Sequence, residues 1–341
     1  MNPKLLATTT AGLLCLAGGL AACGSDPSSS GSGAAGADGV GVFLSTSANS
    51  YEQAQAAGVK KAAQDLGAGD VQVFDASFDS TAQIGQVQDA VTSGRFKSFV
   101  IEPVDGAAIA GPLARAAAAG IEVVCVTSAC GPDATKIDLQ VEGQGGVVAS
   151  DYGQVAEAMA GHAVEACEGV DPCRVFFLNG DSTFPSDRAA KDSFAGVMEK
   201  APSNVEFVGT QDGKYDTVTG RSVMQSELQR NPDLDVLVSF ADQQTLGAAQ
   251  AIDAASKSEQ VKIISFGGSE QAVAAVKNGA WLGSMLTLPF SIGETGATIA
   301  IQLAQGKTPD ETVVDASTLA PVDGAYLIKD NAADFTAQWT S

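Results

Sequence analysis

Short, unbroken apolar runs recur along the chain, each followed by a longer segment where apolar residues return every third or fourth position. The runs "VGVFL", "VQVFDA", "SFVIEP" and "IEVVCVT" form one series; "RVFFLNG", "VEFVGTQ", "DVLVSF" and "VKIISFGG" form a second. Continuous β-branched and aromatic runs predict strands buried on both faces, hence parallel sheets covered by helices. The segments between them predict those helices: Val59, Ala62, Ala63 and Leu66 share one face at the i, i+3, i+4, i+7 spacing. Ser50 with Gln53, and Ser80 with Gln83, read as capping boxes that open the first two helices. The two series part around "VEGQGGVVASDYGQ", which predicts an α/β architecture of two similar Rossmann-like lobes with parallel sheets joined by a hinge. Ligands of such sheets sit beyond the carboxyl ends of the strands. The polar row "STSANSYEQ" after the first strand is therefore a candidate binding lip.

The periodicity fails at the N-terminus. "MNPKLLATTTAGLLCLAGGLAACGS" carries an early positive charge at Lys4, an apolar run too short to span a bilayer, and small residues before Cys23. This predicts a signal peptide over residues 1–22. "LAAC", Leu20 to Cys23, resembles the lipobox of bacterial lipoproteins, which implies that Cys23 is lipidated and becomes the mature N-terminus. The Gly/Ser-rich stretch 23–38 has no apolar periodicity and reads as a flexible tether. Signal, lipid and tether together place the body outside the cytoplasmic membrane, held by acyl chains on Cys23.

Charge and cysteine content narrow the function. A formal net charge of −21 over 341 residues excludes a nucleic-acid partner of the ordinary electrostatic kind. Of 6 cysteines, Cys15 leaves with the signal and Cys23 takes lipid, so four remain. Three connectivities are open to them; proximity favours Cys125–Cys130 and Cys167–Cys173, and export favours disulfides. A zinc site built from all four thiolates is the competing reading, although no CxxC spacing is present.

Catalytic signatures are scarce. The single histidine, His162, lies in the mostly apolar helical stretch "AEAMAGHAVEAC", a setting for a structural role. No GxSxG elbow occurs, "GQGGVV" from Gly143 lacks the third glycine of a dinucleotide loop, and "GKT" at Gly306 ends a helical pattern where a phosphate loop would begin one. Glu102 and Asp105 read as solvated loop charges or caps. These features point to a binding protein without cofactor or metal, and away from an enzyme.

In order, the segments "FLSTSANSYEQAQAAGVKKAAQDLG", "FVIEPVDGAAI", "ASDYGQVAEAMA", "DTVTGRSVMQSELQRNPDLDVLVSFADQQTLGAAQAI" and "IISFGGSEQAVAAVKNGAWLGSMLTLPFSIG" resemble the periplasmic sugar-binding proteins of ABC importers, especially the ribose-binding type. The resemblance covers Gly39 to Asp315. It implies the type I periplasmic binding protein fold, with residues 39–149 plus 289–313 in the first lobe and 150–288 plus 314–341 in the second. It also implies a monomer that carries a sugar or polyol to a membrane permease. A ligand-presenting sensor, an extracytoplasmic enzyme, and a binder of a nucleoside or an autoinducer-like molecule are the rival functions.

Position by position, the resemblance puts Ser45, Asn49, Tyr51, Arg188, Tyr215, Phe266 and Thr287 at ligand contacts. Departures are equally specific. Glu52 stands where relatives keep an aromatic, Thr127 and Ser128 replace an Asp-Arg pair, Ala241 replaces an asparagine beside the retained Asp242, and Gly267 replaces an aspartate. Loss of several hydroxyl-bonding groups points away from ribose itself. The insertion after Ser128, through residue 144, offers Asp133, Glu142 or Gln144, together with Glu52, as replacement contacts.

Overall fold

The computed structural model describes residues 38–341. The signal peptide, Cys15, Cys23 and nearly all of the tether lie outside the described residues. Two six-stranded sheets form the body. The first contains β1 (Gly39–Leu44), β2 (Val71–Asp75), β3 (Phe96–Ile101), β4 (Glu122–Thr127), β5 (Gly146–Ala149) and β11 (Val313–Asp315), in the order β11-β5-β4-β3-β1-β2 and parallel throughout. The second contains β6 (Cys173–Asn179), β7 (Val205–Asp212), β8 (Val236–Ser239), β9 (Lys262–Gly267), β10 (Gly283–Leu286) and β12 (Tyr326–Ile328), in the order β12-β10-β9-β8-β6-β7. Only β12 runs antiparallel to its neighbour in that sheet.

Helices cover both faces of each sheet, so every central strand is buried. On the first sheet, α1 (Ser50–Leu66) and α9 (Pro289–Ala304) close one face around Val59, Val100, Val126 and Ile292; α2 (Ser80–Ser93) and α3 (Gly106–Ala118) close the other around Phe43, Phe99 and Leu113. On the second sheet, α4 (Tyr152–Ala166) and α5 (Pro185–Met198) cover one face, while α6 (Thr217–Arg230), α7 (Asp242–Ala254) and α8 (Glu270–Asn278) cover the other. Chain crossings between the sheets occur from β5 into α4, from β10 into α9, and from β11 towards β12. All strands of the first sheet and all but β12 of the second therefore point their carboxyl ends at a shared cleft.

The helix starts differ by one residue from the sequence reading. Asn49 is the N-cap of α1, its side chain accepting from the amides of Tyr51 and Glu52 at 3.0 and 3.3 Å. Asp79 caps α2 in the same way. A carboxylate or amide oxygen one residue earlier reaches two free amides at once, which the serine hydroxyl does not do here. Gln53 and Gln83 are thereby released: Gln53 donates to the Ser47 carbonyl, and Gln83 bonds the Glu102 carbonyl and the Val104 amide.

Both local disulfides are formed, Cys125–Cys130 and Cys167–Cys173, with Cα–Cα distances of 6.0 and 5.5 Å. The zinc alternative falls with them. His162 stacks on Tyr326 at 3.7 Å and faces Glu165, a structural position. No described helix is long and apolar enough to cross a membrane.

Candidate functional site

A cavity of about 80 Å³ lies where the carboxyl ends of the two sheets meet. That is several times the roughly 10–15 Å³ needed for one water, and of a size for one small molecule. Its first wall is built from strand ends and the start of α1. Ser45 follows β1, Glu102 follows β3, Thr127 ends β4, and Tyr51 and Glu52 occupy the first turn of α1. Ser45 Oγ bridges two carboxylates, reaching Glu52 Oε1 at 3.3 Å and Glu102 Oε1 at 3.1 Å. Gln55 holds the other side of Glu102 at 3.0 Å and accepts from the Thr127 hydroxyl at 2.5 Å.

Burial pushes the Glu102 carboxyl up to about 7. Burial, and then the neighbouring Glu102 charge, hold Glu52 well above the ordinary carboxylate range despite its place in a helix's first turn. The titratable groups facing this pair are Tyr51 on α1 and Tyr152 on α4, both raised by burial. A carboxyl whose folded pKa is raised stabilises the fold below its ordinary value, near 4.5, and that stability is lost as pH rises to about 7. Across the pair this loss is on the order of a few kcal/mol. Glu102→Gln is therefore expected to raise the melting temperature of the ligand-free protein by several degrees at pH 7.5 and to leave it unchanged at pH 4.5. Equal shifts at both pH values would contradict that account.

The second wall is largely aromatic. Tyr152 starts α4 and packs edge-on to Phe240 and Phe266 at ring distances of 5.3 and 5.8 Å. Tyr215 donates to Asp187 at 2.7–2.8 Å, and Gly180 leaves the room: a Cβ there would lie 2.5 Å from the Tyr215 hydroxyl. Asp187 is fully buried, which raises its carboxyl to about 7. From the first lobe, Phe78 reaches across to Phe184 and Tyr215 at 5.6 and 6.4 Å. Phe78, Thr127 and Tyr215 all have positive φ, 60°, 68° and 55°. Non-glycine residues held this way cost about 1–3 kcal/mol each and cluster at binding sites.

The chain's last residues complete the enclosure. Trp339 lines the cavity, meets Tyr51 edge-on at 5.4 Å, and donates from Nε1 to the Gly267 carbonyl at 3.3 Å. Gln338 bonds Ser291 on α9, Ser50 bonds the Thr340 carbonyl, and Ser341 meets Ser269 and Gln271 beside α8. The tail thus touches helices on both sides of the cleft. Tyr51 also meets Thr287 at the β10–α9 crossing, hydroxyl to hydroxyl at 3.1 Å.

Residues 40–308 match the family model described as "Periplasmic binding protein domain". The chain belongs to that family. The ribose import binding protein of Bacillus subtilis is 26% identical over 278 residues, covering 80% of this chain and 84% of that protein. An ABC transporter solute-binding protein of Mycobacterium smegmatis, solved with bound glycerol, superposes with a TM-score of 0.74 at 25% identity over 89% of this chain and 99% of its own. A periplasmic solute-binding protein of Actinobacillus succinogenes, solved with D-allose, shares the fold at TM-score 0.74 and 18% identity, over 87% and 99% of the two chains. The fold is the type I periplasmic binding protein fold, and membership of a binding-protein family agrees with a chain that binds without catalysing.

For this periplasmic binding protein, most residues singled out by resemblance converge on the cavity. Ser45, Asn49, Tyr51, Glu52, Thr127 and Ser128 line it from the first lobe, Tyr215 and Phe266 from the second, and Thr287 at the crossing. Arg188 does not. It is exposed on α5, and its guanidinium donates to the Ser182 and Thr183 carbonyls, tying down its own loop. Asp242 is also outside the lining: fully buried at the start of α7, it accepts from the Ser269 amide at 2.8 Å. Its carboxylate and Trp339 explain the Gly267 departure, because a Cβ at 267 would lie 2.4 Å from the one and 2.9 Å from the other.

The insertion supplies no lining residue. Gly131 bonds the Gly106 carbonyl, drawing the loop over α3, where Asp133 pairs with Lys136, Gln144 bonds its own loop, and Glu142 is exposed. Of the four proposed replacements only Glu52 reaches the cavity. Glu102, read as a solvated or capping charge, is a buried wall residue instead, 8% exposed. Trp339, Tyr152 and Phe78 were missed; the aromatic character of Tyr152 and Trp339 in otherwise polar stretches was the available signal.

Proposed function

We propose that this protein is a lipid-anchored, extracytoplasmic solute-binding protein that captures a small sugar or polyol in the inter-lobe cleft and presents it, as a monomer, to an ABC permease. The observation carrying this reading is the cavity itself, whose hydrogen-bonding groups and aromatic faces come from both lobes at once. A ligand that touches both walls has differential affinity for the closed arrangement, so binding drives closure, and closure creates the surface a permease recognises. Relatives named for ribose import and structures solved with D-allose and glycerol support a polyhydroxylated ligand. The departures at Thr127, Ser128, Ala241 and Gly267 direct specificity away from ribose.

Two experiments test this reading. Ligand recovered after incubation with stoichiometric protein should be chemically unchanged by NMR; conversion would make the protein an enzyme. Cys23→Ala should move the protein from the membrane fraction to the soluble extracytoplasmic fraction, and persistent attachment would remove Cys23 as the anchor.

A further inference from the structure

Charge around the cavity is one-sided. Glu52 and Glu102 line it, Asp187 and Asp242 stand behind its second wall, and no lysine, arginine or histidine among the described residues lines it. The two glutamates share one donor, since Ser45 has a single hydroxyl proton for oxygens at 3.3 and 3.1 Å. Gln55 satisfies one more oxygen, on Glu102. Glu52 Oε2 has no partner, in a side chain only 5% exposed. A buried carboxylate needs a partner charge or a proton.

The rest of the enclosure suits an organic cation. The edge-on ring pairs Tyr51–Trp339 and Tyr152–Phe266 line the same cavity as Glu52. Aromatic faces attract an ammonium group, most strongly where water is excluded. A neutral hydroxyl gives Glu52 one hydrogen bond and leaves the pair to keep its protons, whereas an ammonium group donates to both carboxyls and compensates them when they ionise. A metal ion lacks ligands, because no group of three or more His, Cys, Asp or Glu side chains gathers among the described residues.

We propose that the ligand is a cationic polyol, an amine-bearing sugar or cyclitol whose ammonium group sits between Glu52 and Glu102 against the aromatic wall. This rests on the reading of the cleft as a polyol site and adds the charge of its occupant. Calorimetry on the purified protein with matched probes reads it: glucose against glucosamine, galactose against galactosamine, the N-acetyl derivatives as uncharged mimics, and putrescine as a bare diamine. At least one amine is expected to bind tenfold or more tightly than both its neutral partner and its N-acetyl form. Glu52→Gln and Glu102→Gln should each erase that preference while a melting curve shows the variant folded; two variants guard against a folding failure in one.

Neutral sugars binding as well as the amines would overturn the proposal and leave the polyol reading standing. Binding of putrescine alone, a cation without hydroxyls, would keep the cation and overturn the polyol. An amine preference unchanged in both variants would overturn the assignment to these glutamates, and no binding by any probe would overturn both readings.

Discussion

Gly58→Ala is expected to destabilise the protein by about 2–3 kcal/mol, although alanine is the better helix former. A Cβ at 58 would lie 2.0 Å from the Phe290 carbonyl oxygen and 2.8 Å from the Glu294 amide. Across the same interface, a Cβ at 293 would lie 2.1 Å from the Gln55 carbonyl. Both obstacles are backbone, so α1 and α9 must part, and overpacking of this kind costs about 1–3 kcal/mol or more. The separation also disturbs the site, because α1 carries Tyr51 and Glu52 and α9 begins two residues after Thr287. Gly161→Ala supplies the control. It lies in α4 with nothing within 4 Å of the added carbon, so helix propensity alone should stabilise it by up to about 1 kcal/mol. Melting temperatures shifted in the same direction by both substitutions would contradict close packing through Gly58.

Trp339→Ala is expected to weaken ligand binding at least tenfold and to cost about 3 kcal/mol of stability, the lower end for loss of a buried aromatic. The side chain is 5% exposed, walls the cavity, supports the Tyr51 ring and bonds the Gly267 carbonyl. Trp281→Ala separates the two effects. Trp281 is equally buried but belongs to the core of the second lobe, so its loss should lower stability while leaving the affinity of the folded protein unchanged. Comparable dissociation constants for native protein and Trp339→Ala would exclude the tail from the site.

The architecture was legible because parallel strands buried on both faces write continuous apolar runs, and each of the eight quoted runs coincides with one of the strands β1–β4 or β6–β9. Of the strands of three or four residues only β8 stood out, its apolar run prolonged by Phe240; β5, β10, β11 and β12 left too little pattern. The first-lobe lining of the cavity was legible because Ser45, Asn49, Tyr51 and Glu52 lie within one loop and helix start, where order in sequence is order in space. Arg188 shows where that stops. Its position on α5 matched the family pattern, but a long side chain chooses among nearby acceptors, and two loop carbonyls hold it here. Glu102 was misread because a carboxylate after a strand looks the same in sequence whether solvent or Gln55 receives it. Trp339 stood out in sequence only as an aromatic in a polar stretch: its partners, Tyr51 and Gly267, are distant in the chain, and only the folded tail brings them together.

The central claim is that the cleft holds a small polyhydroxylated solute. Its most direct test is a thermal-shift screen of the purified protein against monosaccharides, linear polyols and cyclitols, with and without amino substituents, alongside nucleosides and amino acids. The account predicts saturable stabilisation by at least one polyhydroxylated compound, reaching about 2.7 kcal/mol at 100 times its dissociation constant, with one molecule bound per chain. Stabilisation by a nucleoside or an amino acid, with every sugar, polyol and cyclitol silent, would contradict it.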